Sequence, residues 1–305
     1  MSLIKVKSPA TTANLGPGFD CLGMAVDIWN FLEVEWCTNN ILQETSIGVY
    51  GEGSDELATD TSNLVYQAIK FLFLEAGHQL PPLRLRCENN IPLSRGLGSS
   101  AAAISSGLVA ANFMVGNLFE PNELLEMAAT VEGHPDNVAA AILGNLQLVI
   151  GEDNHLYTVS IRPPDDLRLV IFVPDVRIST DDARRVLPSV VSINDAVYNA
   201  SRVGLLVAGM LTDHVEYFHH SVQDKLHQPY REPLFPAMKV IFKAADDAGA
   251  LGVFLSGSGS TIMALTKGRE MTVAYEMGEA ARQTGVVGEL RITKPAYEGT
   301  LVIED

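Results

Sequence analysis

The sequence predicts an α+β protein of two domains, and three observations carry the prediction. First, 305 residues with 47% hydrophobic composition suffice for two ordinary cores, at roughly 100–200 residues per domain. Second, Arg162-Pro163-Pro164-Asp165-Asp166 sets two prolines and two acids between a strand pattern and the apolar run Leu169–Pro174, a composition that interrupts regular structure and suits a boundary. The domains expected are residues 1–162 and 163–305. Third, the 24 residues from Gly96 to Phe119 carry no charge, so a helix buried along its whole length is expected inside the first domain. A membrane span does not fit that run. Four serines, Asn112 and Asn117 interrupt it, and no apolar stretch reaches the roughly 18 residues a span needs.

Charge and cysteine usage narrow the function. A net charge of −16 repels nucleic acid and anionic membranes, which sets aside both as partners. An anionic ligand then needs a locally positive site made from helix ends, a cation and a few arginines. Cys21, Cys37 and Cys87 are odd in number and lack metal-ligand spacing, as expected of reduced thiols in a cytoplasmic protein. Met-Ser-Leu-Ile-Lys leads straight into an alternating strand, with no secretory or transit pattern.

In chain order, Leu3–Lys7 alternates as a strand, and Ser8–Asp20, rich in Pro, Gly and small polar residues, is expected as an ordered loop. Phe31–Trp36 and Leu83–Cys87 read as half-buried strands, and Asn63 opens an amphipathic helix as its cap. A helix over Pro121–Glu132 carries Glu123, Glu126 and Glu132, an arrangement that ordinarily forms a solvated face. Asn145–Ile150 and His155–Ile161 form a hairpin around Gly151-Glu152-Asp153-Asn154. Beyond the boundary, a helix starts near Ile178-Ser179-Thr180-Asp181-Asp182-Ala183-Arg184 with Thr180 as N-cap, and the plain reading pairs Arg184 with Asp181 on the surface. Arg231 lies in a proline-bounded loop, and Gly252–Thr261 is a strand running into a glycine turn. Helices near Leu234–Ala248 and Glu270–Gln283, with strands at Ile262–Leu265, Glu289–Thr293 and Leu301–Ile303, complete the second domain.

The stretch Pro92–Ala103 joins a glycine turn to a helix start. Gly96 and Gly98 allow the main chain to approach a ligand, and Ser99 and Ser100 stand where an N-cap belongs. A helix leaving this loop aims its free N–H groups and positive dipole end at an anion, for which phosphate is the natural occupant. The loop lacks the Gly-Lys-Ser/Thr of a Walker motif and the third glycine of a dinucleotide fingerprint.

Pro92-x-Ser94-x-Gly96-Leu97-Gly98-Ser99-Ser100-Ala101-Ala102 resembles the phosphate loop of the GHMP kinases, the family of galactokinase, homoserine kinase, mevalonate kinase and phosphomevalonate kinase. Ser8–Asp20, Glu132-Gly133-His134-Pro135-Asp136-Asn137 and Gly252–Thr261 extend the resemblance from about Lys5 to the C terminus, in forms similar to the family's homoserine kinases. The resemblance implies an N-terminal ribosomal-protein-like βαβ nucleotide domain and a C-terminal ferredoxin-like α+β domain. It implies ATP held by Pro92, Ser94, Arg95, Gly96, Leu97, Gly98, Ser99, Ser100 and Ala101, with the base near Asn63, and Mg²⁺ held by Ser99 and Glu126. Homoserine would meet Asn14, Asp20, His134, Asn137, Arg184 and Arg231, with Asn14, Asp20, Thr180 and Arg184 around the chemistry. A homodimer is also implied.

Two arginines suit a carboxylate, because guanidinium binds it through parallel hydrogen bonds; this favours an amino acid over a sugar. Some family members pair an aspartate base with a lysine. No motif here positions such a lysine, and Asp20 is the candidate if a base is used. Two alternatives stand beside this reading: another small-molecule kinase of the family, such as one acting on mevalonate, and a non-catalytic binder on the same fold.

Overall fold

The computed structural model describes residues 2–36, 44–153 and 155–303; Met1, Cys37 and Asn154, the last in the expected hairpin turn, lie outside these. The first sheet is organised on its longest strand. β1 (Ser2–Asn14) and β2 (Gly18–Trp36) form an antiparallel hairpin closed by Leu15-Gly16-Pro17. The loop expected over Ser8–Asp20 is therefore corrected to strand over most of its length. Ser8, Ala10, Thr11, Thr12 and Ala13 are buried, and buried main chain must place its N–H and C=O groups in a ladder. Pro9, which has no N–H to give, falls at a register shift between β1 and β2.

β3 (Ser46–Gly51), unforeseen in the sequence, runs parallel to β4 (Leu83–Asn89) through the crossover helix α1 (Leu64–Glu75). Asn63 caps α1 as expected, accepting from the Val65 N–H at 3.0 Å. α2 (Ser99–Met114), α3 (Pro121–Glu132) and α4 (Pro135–Leu143) follow, packed on the sheet with α1 around Ile69, Leu72, Leu85, Ile104 and Leu108. The buried helix is shorter than expected. It stops at Met114, and Leu118 is 57% exposed. Asn112 explains the stop: its side chain donates to the Phe119 carbonyl and accepts from the Phe119 N–H, at 2.9 and 3.0 Å, folding the chain back. β5 (Leu146–Glu152) joins β2 at Leu22–Met24, and β6 (His155–Ile161) pairs outside it.

β7 (Arg168–Pro174) opens a second, antiparallel sheet. After it come α5 (Thr180–Arg185), α6 (Ile193–Thr212) and the single turns α7 (Phe218–Ser221) and α8 (Gln228–Arg231). Next are α9 (Met238–Asp247), β8 (Gly252–Leu255), β9 (Ile262–Thr266), α10 (Glu270–Gln283) and β10 (Gly288–Thr293). The sheet order is β10-β7-β9-β8. α6 escaped the sequence reading because apolar residues stand on both its faces: Leu206 and Met210 are buried, Ile193, Val197 and Leu211 exposed. The last strand, β11 (Leu301–Ile303), returns to the first sheet beside β1.

β7 separates two cores through its two-residue period. Val170 and Phe172 point toward α9 and α10, among Ile241, Val273 and Met277. Leu169, Ile171 and Val173 point the other way, into a core shared with Leu22, Met24, Leu97 and Leu146 of the first sheet's side. That shared core fixes the two sheets against each other and holds the cavity described next.

Candidate active site

A cavity of about 560 Å³ gathers most of the residues that the sequence singles out. Asn63 and the loop from Pro92 to Ser100 line one end; Asn14, Asp20, His134, Asn137, Thr180, Arg184 and Arg231 also line it. Two expected residues are missing from the wall. Ala101 is fully buried in the core of α2, so only its main chain can serve a ligand, and Glu126 lies elsewhere.

The phosphate loop is held by its neighbours through the main chain. The Leu97 carbonyl accepts from the Thr11 N–H at 3.0 Å, the Arg95 carbonyl from the Thr261 N–H at 3.1 Å, and the Gly96 carbonyl from Ser256 Oγ at 2.6 Å. The Gly252–Thr261 stretch thus packs directly on the loop. Gly96 (φ +75°) and Gly98 (φ +67°) occupy the left-handed region, and a Cβ at Gly98 would stand 1.8 Å from Thr11 Oγ1. Gly98, not Ser99 or Ser100, is the N-cap of α2. A serine at that position would be strained at this φ, and a glycine cap contributes no side-chain oxygen. Among the described residues, the first N–H groups of α2, at Ser99, Ser100 and Ala101, therefore have no intrahelical or side-chain partner, as an anion cradle requires. Among the described residues, Nε of Arg95 and of Arg184 is buried without a hydrogen-bond partner. Such orphaned cationic donors fit an anionic ligand.

The other end is built by the β1–β2 hairpin and α5. Asn14 (φ +69°) and Asp20 (φ +58°) both take left-handed backbone, which Asn and Asp tolerate better than most residues. Asn14 Oδ1 accepts from the Asp20 N–H at 3.1 Å while Nδ2 donates to the Gly257 carbonyl at 3.0 Å, so the amide fixes the hairpin against the Gly252–Thr261 stretch. Arg184 turns away from Asp181 and grips Asp20, with Nη1 and Nη2 donating to the two carboxylate oxygens at 3.0 and 2.8 Å. The helix cap is Ser179, which accepts from the Asp182 N–H at 3.0 Å; Thr180 is the first helical residue and is exposed to the cavity. Arg231 is 3% exposed, with Nε donating to the Ala183 carbonyl at 3.2 Å and Nη1 to the Gly257 carbonyl at 2.8 Å.

His134 ends the extended link before α4, and Asn137 accepts from Thr11 Oγ1 at 2.7 Å. Burial, with Arg184 nearby, holds the His134 imidazole below its usual range, which favours the neutral ring. Asp136, read from sequence as a turn organiser, accepts from the Asn137 N–H at 2.7 Å and also reaches the cavity wall. Burial pushes its carboxyl up to about 6.

Glu126, expected beside Ser99 on a metal, lies away from the cavity. Its Oε1 accepts from the Leu156 N–H at 3.3 Å and meets His155 Nδ1 at 3.1 Å, on the β5–β6 hairpin. Of the acids on α3, Glu132 is the one at the cavity, where Ser100 Oγ donates to it at 2.6 Å. Six residues along a helix are a rotation of about 240°, so one face cannot present both acids. Burial raises the Glu132 carboxyl above its usual range against the opposing Ser100 bond. Its place at the head of Glu132-Gly133-His134-Pro135-Asp136-Asn137, beside the other site residues, was the available sequence signal.

A glycine-built anion cradle at a helix start, opening on a cavity with paired arginines and carboxylates, defines a small-molecule kinase. The chain matches the family described as GHMP kinases N terminal domain over residues 63–145 and that described as GHMP kinases C terminal over residues 199–283. It belongs to the GHMP kinase family. A homoserine kinase of Petrotoga mobilis is 44% identical over 303 residues, covering 99% of this chain and 97% of that one. The homoserine kinase of Moorella thermoacetica is 41% identical over 303 residues, covering 99% and 100%. The crystal structure of homoserine kinase from Cytophaga hutchinsonii superposes with a TM-score of 0.90 at 32% identity, covering 99% of this chain and 98% of that one. The two-domain α+β fold expected from the sequence is that of the family.

Proposed function

We propose that this protein transfers the γ-phosphoryl group of ATP to the side-chain hydroxyl of L-homoserine, giving O-phospho-L-homoserine for threonine synthesis. The observation that carries the reading is one cavity in which the free N–H groups of α2 share a wall with the Asp20–Arg184 pair and Arg231. Full-length similarity to homoserine kinases supports the choice of substrate.

The N–H groups of Ser99, Ser100 and Ala101 bind phosphate oxygens, helped by the helix dipole. Ser99 Oγ and the Glu132 carboxylate are hard oxygen donors of the kind Mg²⁺ prefers. Among the described residues no group of three His, Cys, Asp or Glu stands ready to hold a metal, which suits a cation that completes its shell with phosphate oxygens. When bound, Mg²⁺ supplies charge neutralisation on the phosphates. The amino acid's ammonium goes to Asp20, with Asn14 beside it, and its carboxylate to Arg184 and Arg231, so a zwitterion takes over the partners that Asp20 and Arg184 give each other. His134, Asn137 and Thr180 surround the hydroxyl. With Asp20 given over to the substrate's ammonium, the site relies on alignment and charge neutralisation more than on a strong base, which a loose phosphoryl transition state permits.

The reading extends to a division near residues 162 and 163, with β11 counted on the first side, and to a homodimer in the cytoplasm. Cys21 and Cys87 are free thiols, in keeping with a reducing compartment. Among the described residues no helix is long and apolar enough to cross a membrane. ADP release measured with homoserine, mevalonate, galactose and shikimate tests the proposal: turnover is expected with homoserine alone. Preference for another alcohol replaces the substrate, and no turnover with any of them removes the activity.

A further inference from the structure

Beneath Arg231 lies a buried polar chain that no step above uses. His227, with no solvent exposure, meets three polar partners through its ring. Nε2 stands 2.6 Å from the Gly16 carbonyl and 3.5 Å from Asp224 Oδ2, and Nδ1 stands 3.1 Å from Arg231 Nη1. A carbonyl can only accept, so Nε2 carries the proton, and Nδ1 is left as an acceptor for the guanidinium N–H. The Asp224 side chain, also fully buried, accepts from the N–H groups of Leu226, His227 and Gln228 at 2.8, 3.0 and 2.6 Å and from Asn199 Nδ2 at 2.7 Å. It thereby fixes the turn from which His227 and Arg231 project. Phe19 packs its ring 5.4 Å from the His227 ring and 5.5 Å from the Arg231 guanidinium.

We propose that His227 is a positioning residue for Arg231. Through its two nitrogens it ties the arginine to the Gly16 hairpin, so that Arg231 and Asp20, on either side of the substrate, keep a fixed separation. This rests on the reading of Arg231 as a carboxylate receptor. Arg231 is already held to Ala183 and Gly257 by main-chain carbonyls. The His227 contact adds an acceptor that orients the plane of the fork without adding a second charge. A carboxylate in its place would neutralise Arg231 and compete with the substrate.

Three variants separate the two nitrogens. His227→Phe keeps the ring and loses both bonds; His227→Gln retains a donor near Nε2, and His227→Asn an acceptor near Nδ1. The expected result is a homoserine KM raised about tenfold or more in His227→Phe and His227→Gln, with the KM for ATP within about twofold and partial recovery in His227→Asn. Arg231→Leu is the control. If it leaves the homoserine KM unchanged, the reading of Arg231 falls; if it raises that KM while folded His227→Phe does not, only the role of His227 falls. Equal rises in both KM values would mark His227 as structural and overturn the proposal. ¹⁵N NMR of the unaltered protein gives a test independent of folding in the variants. The His227 Nδ1 signal should move on adding homoserine and not on adding a nonhydrolysable ATP analogue, and an Nδ1–H tautomer would overturn the assignment.

Discussion

Arg184 and Asp20 are 164 positions apart in the chain and meet through two parallel hydrogen bonds of 3.0 and 2.8 Å in the wall of the cavity. Both side chains remain about one-third open, at 33% and 37% exposure, so solvent screens the pair and its contribution to stability is below about 1 kcal/mol. In the proposed reading its value lies in chemistry: the pair offers the opposite charges that the two ends of a zwitterion need.

Arg184→Leu should therefore lower stability by less than about 1 kcal/mol while raising the homoserine KM tenfold or more, roughly the loss of one charge-assisted contact. Urea unfolding alongside steady-state kinetics checks both halves. A large loss of stability with an unchanged KM would make the pair a structural strut.

Glu132→Gln should lower kcat by about tenfold or more at saturating ATP, as a loss of about 1.4 kcal/mol of charge stabilisation would do. It should also raise the Mg²⁺ concentration needed for half-maximal rate. Glu126→Gln, on the face of α3 that meets His155 of the hairpin, should stay near the parent rate. If the two variants exchange these phenotypes, the metal lies on the other face of α3.

Gly98→Ala tests the cradle. The new Cβ would meet Thr11 Oγ1 at 1.8 Å, and Thr11 could yield only by breaking its bond to Asn137. Together with the left-handed φ, the cost should be on the order of 1–3 kcal/mol. A calorimetric drop in Tm of several degrees is expected, at roughly 2–4 °C per kcal/mol in chains above about 150 residues, with a raised KM for ATP. An unchanged Tm would mean that the loop relaxes freely.

Asp136 and His227 should set opposing pH dependences of stability. Burial first of all raises the Asp136 carboxyl from 3.8 to about 6, against its Asn137 hydrogen bond. The folded protein thus binds that proton more tightly, and the stabilisation, full below 3.8, is lost as pH rises through about 6. Burial lowers the His227 imidazole from 6.5 to about 4, so its contribution is full above 6.5 and is lost as pH falls through about 4. Asp136→Asn removes only the first, and between about pH 4 and 6 its unfolding free energy should climb faster than the parent's by up to about 1.4 kcal/mol per pH unit. Parallel curves from urea unfolding would show Asp136 titrating normally.

Legibility followed the range of the forces. Pro121–Glu132 and Glu270–Gln283 were readable to the residue, because caps and helical periodicity act within a few positions. The strand over Ser8–Asn14 was not, since small polar residues become strand only where buried pairing demands it. Ser179 took the cap expected of Thr180 and Gly98 that expected of Ser99 or Ser100, shifts of one or two residues that local patterns do not resolve. Glu132 shows a different limit: the acids of α3 are alike as letters, and only packing selects which one faces Ser100.

By itself the sequence determined the anion-binding loop, the two-domain α+β class and the family, all written in contiguous residues whose backbone needs are local. Tertiary structure alone decided that Arg184 meets Asp20, that Glu132 and not Glu126 lines the cavity, and that His227 stands behind Arg231. Each of these joins segments brought together by the core between the two sheets, and side-chain partners across such distances depend on how apolar surfaces pack, which no local pattern encodes.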